Sequence, residues 1–169
     1  MKGQFRKGYA LFVLFSCLKE EKVLKETGLL DKVENVGKAS GSKGTGKNNI
    51  SNEALIKLDF GKYLKGLIGD PPADMINPHA HHILFKKGLG EAQQKLVQEG
   101  QELLRKHGIE PIIGDENLVW APNRVKGQHG IEALRNVVDR LRKIRDNGGD
   151  RDDIVKELRK LGDIAKRRI

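Results

Sequence analysis

The chain has 169 residues and a formal net charge of +9, with 32 Lys and Arg against 23 Asp and Glu. Its 37% hydrophobic and 33% charged residues exclude an integral membrane protein and a collagen-like chain, and the length suits one globular domain with an appendage. A single cysteine excludes an internal disulfide and a cysteine-rich zinc site, so a metal site would need histidines or carboxylates. The positive charge makes a polyanion, either nucleic acid or an anionic membrane, the expected partner.

The N-terminal part of the chain offers little to a folded core. A basic start precedes an apolar run, Tyr9 to Leu18, that is too short to span a bilayer. Residues 1–18 are either a signal segment or a short buried segment, because secretory signals share this arrangement. From Lys38 to Asn52 the chain consists mainly of Gly, Ser, Lys and Asn, which predicts a linker.

The double proline Pro71-Pro72 predicts a boundary in the chain. Apolar residues between Ala54 and Ile68 have roughly helical spacing, which predicts a short, weak helix or a hairpin that ends before the prolines. We therefore expect a connector over residues 1–70, partly disordered, and a folded domain over residues 71–169.

The folded domain is predicted to be α+β. A strand containing His81 comes first, and short strands are predicted up to Ile113 and from Asn117 to Trp120. Helices are predicted near 91–107, from Ile131 and over 151–166, where apolar residues recur at helical spacing. The first of these helices is expected to bury a face with four apolar residues, namely Ala92, Leu96, Leu103 and Leu104.

Three of the five histidines, His79, His81 and His82, fall within four positions. Alternate residues of a strand face the same side, so His81 and His82 point to opposite faces unless the strand is bulged. One imidazole could then bind a metal while its neighbour, neutral near pH 7, takes a proton from water. The alternative is that both are ordinary strand residues. The apolar run Ile83 to Phe85 indicates a buried strand rather than a tag.

The segment Ala80-His81-His82-Ile83, followed by Asn117-Leu118-Val119-Trp120-Ala121-Pro122-Asn123 and by His129, resembles the AHH family of HNH/endonuclease VII (ββα-metal) nucleases. More narrowly, it resembles the C-terminal toxin tips of bacterial polymorphic toxins, including wall-associated ones that act by contact-dependent inhibition. The match covers about residues 71–145. It implies a ββα-metal nuclease core with flanking helices, so that residues 71–169 would be an AHH/HNH-like nuclease domain.

The resemblance also implies an activity and a metal site. The activity is that of an endonuclease that hydrolyses phosphodiester bonds of DNA or RNA, tRNA included. By carry-over from the family, His82 would be the general base, and His81 and His129 would hold one divalent cation, either Mg, Mn, Ni or Zn. Two imidazoles would leave positions on the cation open for phosphate oxygens and water, as a catalytic site requires.

The remaining site residues implied by the resemblance lie near the predicted second strand. Asn117 would orient the His82 strand, and Asn123, Arg124 and Lys126 would lie beside the scissile phosphate. The separation from Asn117 to His129 is longer than in compact HNH modules, and Asn123 competes with Asn117 for the role of the HNH asparagine.

Delivery and partners follow from the same resemblance. The protein would be secreted or delivered from the cell wall and act in the cytoplasm of a target bacterium, unless it is an orphan cytoplasmic cassette. Its partners would be nucleic acid and a cognate immunity protein, which the positive charge leads us to expect to be acidic. No membrane partner is expected.

Two other functions fit the sequence. One is a non-catalytic basic module that binds nucleic acid through the Arg- and Lys-rich last two helices. The other is a regulatory or structural fragment whose histidines hold zinc without turnover. Loss of nucleic-acid degradation on adding a chelator would distinguish the nuclease from the binding module.

Overall fold

The computed structural model describes residues 22, 23, 25, 26, 55 and 57–167. The elements that it contains, in chain order, are α1 (Phe60–Ile68), β1 (Pro78–His82), α2 (Gly90–Lys106), a 3₁₀ turn (Asp115–Asn117), β2 (Leu118–Pro122), α3 (Ile131–Asp146) and α4 (Arg151–Lys166). The protein is therefore α+β, as expected, and the succession of β1, β2 and α3 is compatible with a ββα fold. Within the described part of the chain, no helix is both long and apolar enough to cross a bilayer.

The two strands pair antiparallel in a single register, which sorts their side chains onto two faces. His79 pairs with Ala121 and His81 with Val119, whereas His82 pairs with Leu118. Because side chains alternate along a strand, one face of the sheet carries His79 and His81, and the other carries His82.

Each face of the sheet is covered by its own apolar cluster. Helix α1 covers the His82 face, where Leu118 and Trp120 of β2 pack with Tyr63 and Leu64 of α1. The larger cluster joins α2, α3 and α4, and it includes the residues that follow β1. Helix α4 reaches the other face of the sheet, where Val119 lies against Gly162. The sheet is thus held between α1 and the three-helix part of the protein.

The folded unit extends upstream of the boundary predicted near residue 70. The Tyr63 hydroxyl donates to the Ile113 carbonyl (2.8 Å) and the Trp120 indole donates to the Gly69 carbonyl (3.0 Å). Val23 and Leu55 are also buried in the cluster that α1 forms with the sheet. Residues assigned by sequence to the connector therefore pack with the domain that follows. The predicted linker over 38–52 and the segment 1–18 lie outside the described residues.

The strand predicted up to Ile113 is wrong, because residues 111–113 form a turn. Proline 111 has no N–H to give to a ladder. Side chains bind the carbonyls of this turn instead: Asn117 binds Pro111 (2.6 Å), His82 binds Ile112 (2.9 Å) and Tyr63 binds Ile113 (2.8 Å). The backbone acceptors are thus satisfied by tertiary contacts rather than by a neighbouring strand.

Helix α2 buries Leu103 and Leu104 as predicted, and Leu96 packs against the core, but the prediction for Ala92 is wrong. Ala92 is exposed, whereas Gln93, Val97 and Gly100 of the same helix are buried. Gly100 is where α2 passes closest to its neighbours, since a Cβ there would lie 2.6 Å from Leu84 Cδ1 and 3.3 Å from Val138 Cγ2. The glycine that weakens the helix by propensity is the residue that lets it pack.

Substitution of Gly100 tests this packing. We expect Gly100→Ala to lower the free energy of unfolding by about 1 kcal/mol, because overpacking a buried contact costs more than the gain in helix propensity. Gly61→Ala in α1 is the matched control, since its Cβ would meet only Asp59 Oδ1, at 3.4 Å. Chemical denaturation should show the control as stable as wild type or more so. A Gly100→Ala protein that is more stable than wild type would contradict this packing.

Candidate metal centre

Three histidines converge on one side of the sheet. His79 and His81 come from β1, and His129 comes from the loop that leads into α3. Their ring centroids are 5.3 Å (His79 to His81), 5.6 Å (His81 to His129) and 5.9 Å (His79 to His129) apart. One candidate ligand nitrogen from each ring lies within 4.8 Å of the other two. We call these three residues the histidine cluster. They lie close enough to bind a metal ion.

His79 is held in a tautomer that suits a ligand. Its Nδ1 lies 2.9 Å from the Ala121 carbonyl oxygen, which can only accept, so Nδ1 carries the proton and Nε2 carries the lone pair. The Nε2 atom is buried and makes no hydrogen bond to any described residue. Burial lowers the pKa of His79, which further favours the neutral ring. A carbonyl that fixes the second ring nitrogen is typical of metal-bound histidine.

His129 is positioned by side chains that bracket the end of its loop. The buried amide of Gln93 donates to the His129 carbonyl (3.2 Å), and the Gln128 amide lies 3.0 Å from His129 Nε2. The ring of Phe85 lies 5.8 Å from the His129 ring. Helix α3 begins two residues later at Ile131, and its buried face anchors the end of the loop to the core.

Two nitrogens bound to one ion at about 2.1 Å with tetrahedral geometry are about 3.4 Å apart. The cluster nitrogens lie within 4.8 Å of one another. Ring rotations that bring them closer by about an ångström would let all three bind one ion. The exposed side chain of His129 can make this adjustment more readily than buried His81.

A pocket of about 320 Å³ opens beside the cluster, and it is lined by the three cluster histidines, by His82 and by two lysines. Lys86 Nζ lies 4.5 Å from the centre of the Phe60 ring, which holds the ammonium group by a cation–π contact. Burial and the charge of Lys87 lower the pKa of Lys86. The pocket thus joins imidazole nitrogens to a local positive charge.

His82 turns its ring to the opposite side of β1. Its Nε2 donates to the Ile112 carbonyl (2.9 Å), and its ring centre lies 4.5 Å from that of Phe60. Burial lowers the pKa of His82 to about 4. The opposite orientations expected for His81 and His82 are therefore present, and His82 lies in contact with α1 rather than in the cluster.

Asn117 is fully buried and fastens the end of β1 to the start of β2. Its Oδ1 accepts from the Leu84 N–H (2.7 Å), and its Nδ2 donates to the carbonyls of Leu84 (2.9 Å) and Pro111 (2.6 Å). Its own carbonyl accepts from the Ile83 N–H (2.9 Å). This is the geometry that a residue orienting the His82 strand needs.

Asn123 is exposed at the end of β2, away from this clamp. Its Oδ1 accepts from the Arg124 N–H (2.8 Å) and from the Gln128 amide (3.4 Å). Asn123, Arg124 and Lys126 line a groove separate from the pocket. The sequence left Asn117 and Asn123 as alternatives for the role of the HNH asparagine. Asn117 is the one that binds the residues at the end of β1. Asn123 contacts Gln128, the residue before His129.

Sequence reasoning noted His79 among the clustered histidines but did not assign it as a ligand, and it missed Lys86 and Lys87. His79 is the partner of His81 by the two-residue period of the strand, a signal that the sequence does carry. Lys86 and Lys87 follow the apolar run, and only the tertiary fold brings them to the pocket.

Comparisons of the chain with protein-family models, with curated proteins and with solved structures return no match. The geometry of the cluster and its pocket is therefore the basis for a function.

The burial of His82 predicts a pH dependence of stability. Above about pH 6.5 the ring is neutral in both the folded and the unfolded chain. Between about pH 6.5 and pH 4 only the unfolded chain takes up the proton, because the folded pKa is about 4. We expect the unfolding free energy to fall in this window by up to about 1.4 kcal/mol per pH unit from this group.

Denaturation with a chelator present, at several pH values, would measure this slope. His82→Gln keeps an N–H donor for the Ile112 carbonyl but does not titrate. Its slope should be smaller than that of wild type, although other groups, among them His79, still contribute. Equal slopes in the two proteins would show that His82 is not the group responsible.

Proposed function

We propose that this protein is a metal-dependent nuclease that hydrolyses phosphodiester bonds of nucleic acid. The observation that carries the proposal is the histidine cluster, which opens into a pocket lined by Lys86 and Lys87. Phosphodiester hydrolysis needs an activated water, a cation beside the reacting phosphate and positive groups that hold the backbone. The histidines of the pocket are candidate ligands for the cation, and its two lysines are positive groups that could hold the backbone.

In this proposal His79, His81 and His129 hold one divalent cation. All three donors are imidazole nitrogens, which suit Zn or Ni, whereas Mg prefers oxygen ligands. Among the cations that the resemblance allows, a transition metal therefore fits these residues better than Mg. When bound, such an ion withdraws charge from the phosphate and lowers the pKa of a coordinated water.

The other residues would position the substrate and the strand. Lys86, held over the Phe60 ring, would bind a phosphate oxygen beside the cluster, and Lys87 would add to the attraction. Asn117 would keep β1 in the orientation that points His79 and His81 toward the pocket.

The role of His82 is where the resemblance and the geometry differ. The resemblance would make it the general base, and with Nε2 donating to the Ile112 carbonyl the lone pair is on Nδ1. Burial, however, lowers the pKa of His82 to about 4, which makes it a weak proton acceptor near pH 7. We therefore propose that His82 supports β1 from the side of α1, and that a water whose pKa is lowered by a bound cation would release its proton to solvent in the open pocket.

The proposal extends to delivery and inhibition of the protein. A nuclease of the resembling toxins would be delivered to a target bacterium and held inactive beforehand by a neighbouring immunity protein. The net charge of +9 would speed capture by an acidic inhibitor. A non-catalytic nucleic-acid-binding module would share the basic surface but would not require an intact cluster.

A cleavage assay with single variants tests the proposal. Purified protein is incubated with duplex DNA, single-stranded DNA and total RNA, with added Zn²⁺, Ni²⁺, Mn²⁺ or Mg²⁺ and with a chelator. We expect cleavage with a transition metal, none with the chelator, and a loss of at least about 10²-fold for His81→Ala and His129→Ala. His82→Gln should lose much less than the roughly 10²- to 10⁴-fold typical of a general base.

His107→Ala is the matched control, because His107 lies outside the cluster and its ring binds the Leu103 carbonyl at the end of α2. It should cleave as wild type does. Cleavage by His81→Ala at the wild-type rate would overturn the metal site, and no cleavage of any substrate with any of the cations would favour the binding module. A loss of more than about 10²-fold in folded His82→Gln would restore His82 as the base.

A further inference from the structure

A second concave surface lies at the end of the sheet where β2 finishes, at Pro122. It is a groove of about 580 Å³ whose cations are Arg124, Lys126, Lys166 and Arg167. The first two come from the loop after β2, and the other two come from the end of α4. Asp74 is the one acidic residue that lines it among the described residues. We call this surface the basic groove.

The floor of the basic groove is apolar. Met75, Ile76 and Val125 line it, and Ile76 is 71% exposed. A groove that only bound a phosphate backbone would have no use for an exposed isoleucine of this kind. Apolar surface beside cations matches a ligand that has both a flat hydrophobic part and a negative charge.

Two residues in or next to the groove have positive φ. Asn77 (φ 45°) and Arg124 (φ 63°) adopt the left-handed region, which is uncommon for residues other than glycine. The Asn77 carbonyl accepts from the Asn123 N–H (3.0 Å), and Asn123 Oδ1 accepts from the Arg124 N–H (2.8 Å). These bonds tie the loop after β2 to the residue that precedes β1.

The basic groove and the histidine cluster are structurally connected. The Gln128 amide lies 3.4 Å from Asn123 Oδ1 at the groove rim and 3.0 Å from His129 Nε2 in the cluster. Within β2, Pro122 lines the groove, and the carbonyl of the preceding residue, Ala121, binds His79. A chain lying in the groove would therefore lead toward the cluster.

We propose that the basic groove binds an unpaired stretch of nucleic acid, with a base on the Ile76 floor and backbone phosphates on the four cations. In a duplex the base faces are stacked on one another, so Ile76 could touch only base edges or the backbone and would gain less apolar contact than on the face of an unpaired base. The groove thereby selects single-stranded substrate. This inference rests on the proposed nuclease function for its biological meaning, but binding can be measured without cleavage.

The test is fluorescence anisotropy with the full chain carrying His81→Ala, in chelator, so that the probe stays intact. The probes are a labelled single strand of about 12 nucleotides, as DNA and as RNA, and the matching DNA duplex. We expect the single strand to bind at least about tenfold more tightly than the duplex. Equal or tighter binding of the duplex, or no binding of either form, would overturn the proposal.

Variants locate the binding surface. Lys166→Glu with Arg167→Glu should weaken single-strand binding by about tenfold or more, and Lys143→Glu with Lys156→Glu, which changes the net charge equally, should weaken it less. Ile76→Ser should also weaken it by about tenfold, against little change for Ile164→Ser, an exposed isoleucine of α4 outside the groove. Control and groove variants that weaken binding equally would overturn the assignment to this groove.

Failure of the groove and failure of the nuclease proposal give different results. If groove and control variants weaken single-strand binding equally but wild type still cleaves with metal, only the groove assignment is wrong. If the groove binds single strands as expected but no metal supports cleavage, the binding surface stands and the nuclease proposal is overturned.

Discussion

The register of β1 on β2 is the constraint on which the rest of the site depends. It is set by pairs such as His81 with Val119, and it places His79 and His81 on the open face and His82 beneath α1. Because the side-chain period of a strand is two residues, a slip by one position would move His79 and His81 to the face covered by α1 and His82 to the opposite face. The composition of the metal centre therefore depends on the strand register, because the register decides which histidines share a face.

The buried contacts of Asn117 secure that register. Its amide group binds both the N–H and the carbonyl of Leu84, and its backbone carbonyl binds Ile83. A buried amide with three side-chain hydrogen bonds is costly to misplace, since each bond lost would leave a polar group without water. The same residue binds Pro111 and so also fixes the turn that receives His82.

The two faces of β1 divide stability from chemistry. On the α1 side, His82 is packed on Phe60 and hydrogen-bonded to the Ile112 carbonyl, as a core residue would be. On the other side, His79 keeps a buried Nε2 lone pair that the fold has not used. An imidazole aimed at a pocket with its other nitrogen fixed by a carbonyl is better suited to bind an ion than to stabilise the core.

Much of this arrangement could be predicted from the sequence where it depends on short-range periodicity. The helical spacing of Leu134, Val138 and Leu141 predicts α3, and strand alternation predicts that His81 and His82 diverge. The α+β class follows from the same patterns.

The sequence did not predict features that depend on tertiary contacts. The turn at 111–113 replaces an expected strand, because its carbonyls are bound by Asn117, His82 and Tyr63 from elsewhere in the chain. Lys86 and the basic groove likewise depend on segments far apart in sequence that meet only in the folded protein. Alternation could have grouped His79 with His81, but the participation of His129 was suggested only by the resemblance.

Metal titration tests the central claim most directly. Co²⁺ is added to the purified chain while visible absorption is recorded, because its d–d bands respond to imidazole ligands and coordination number. The account predicts one ion per chain, with a marked loss of affinity in His79→Ala, His81→Ala and His129→Ala but not in His107→Ala. Wild-type stoichiometry and affinity in a protein that lacks all three cluster histidines would contradict it.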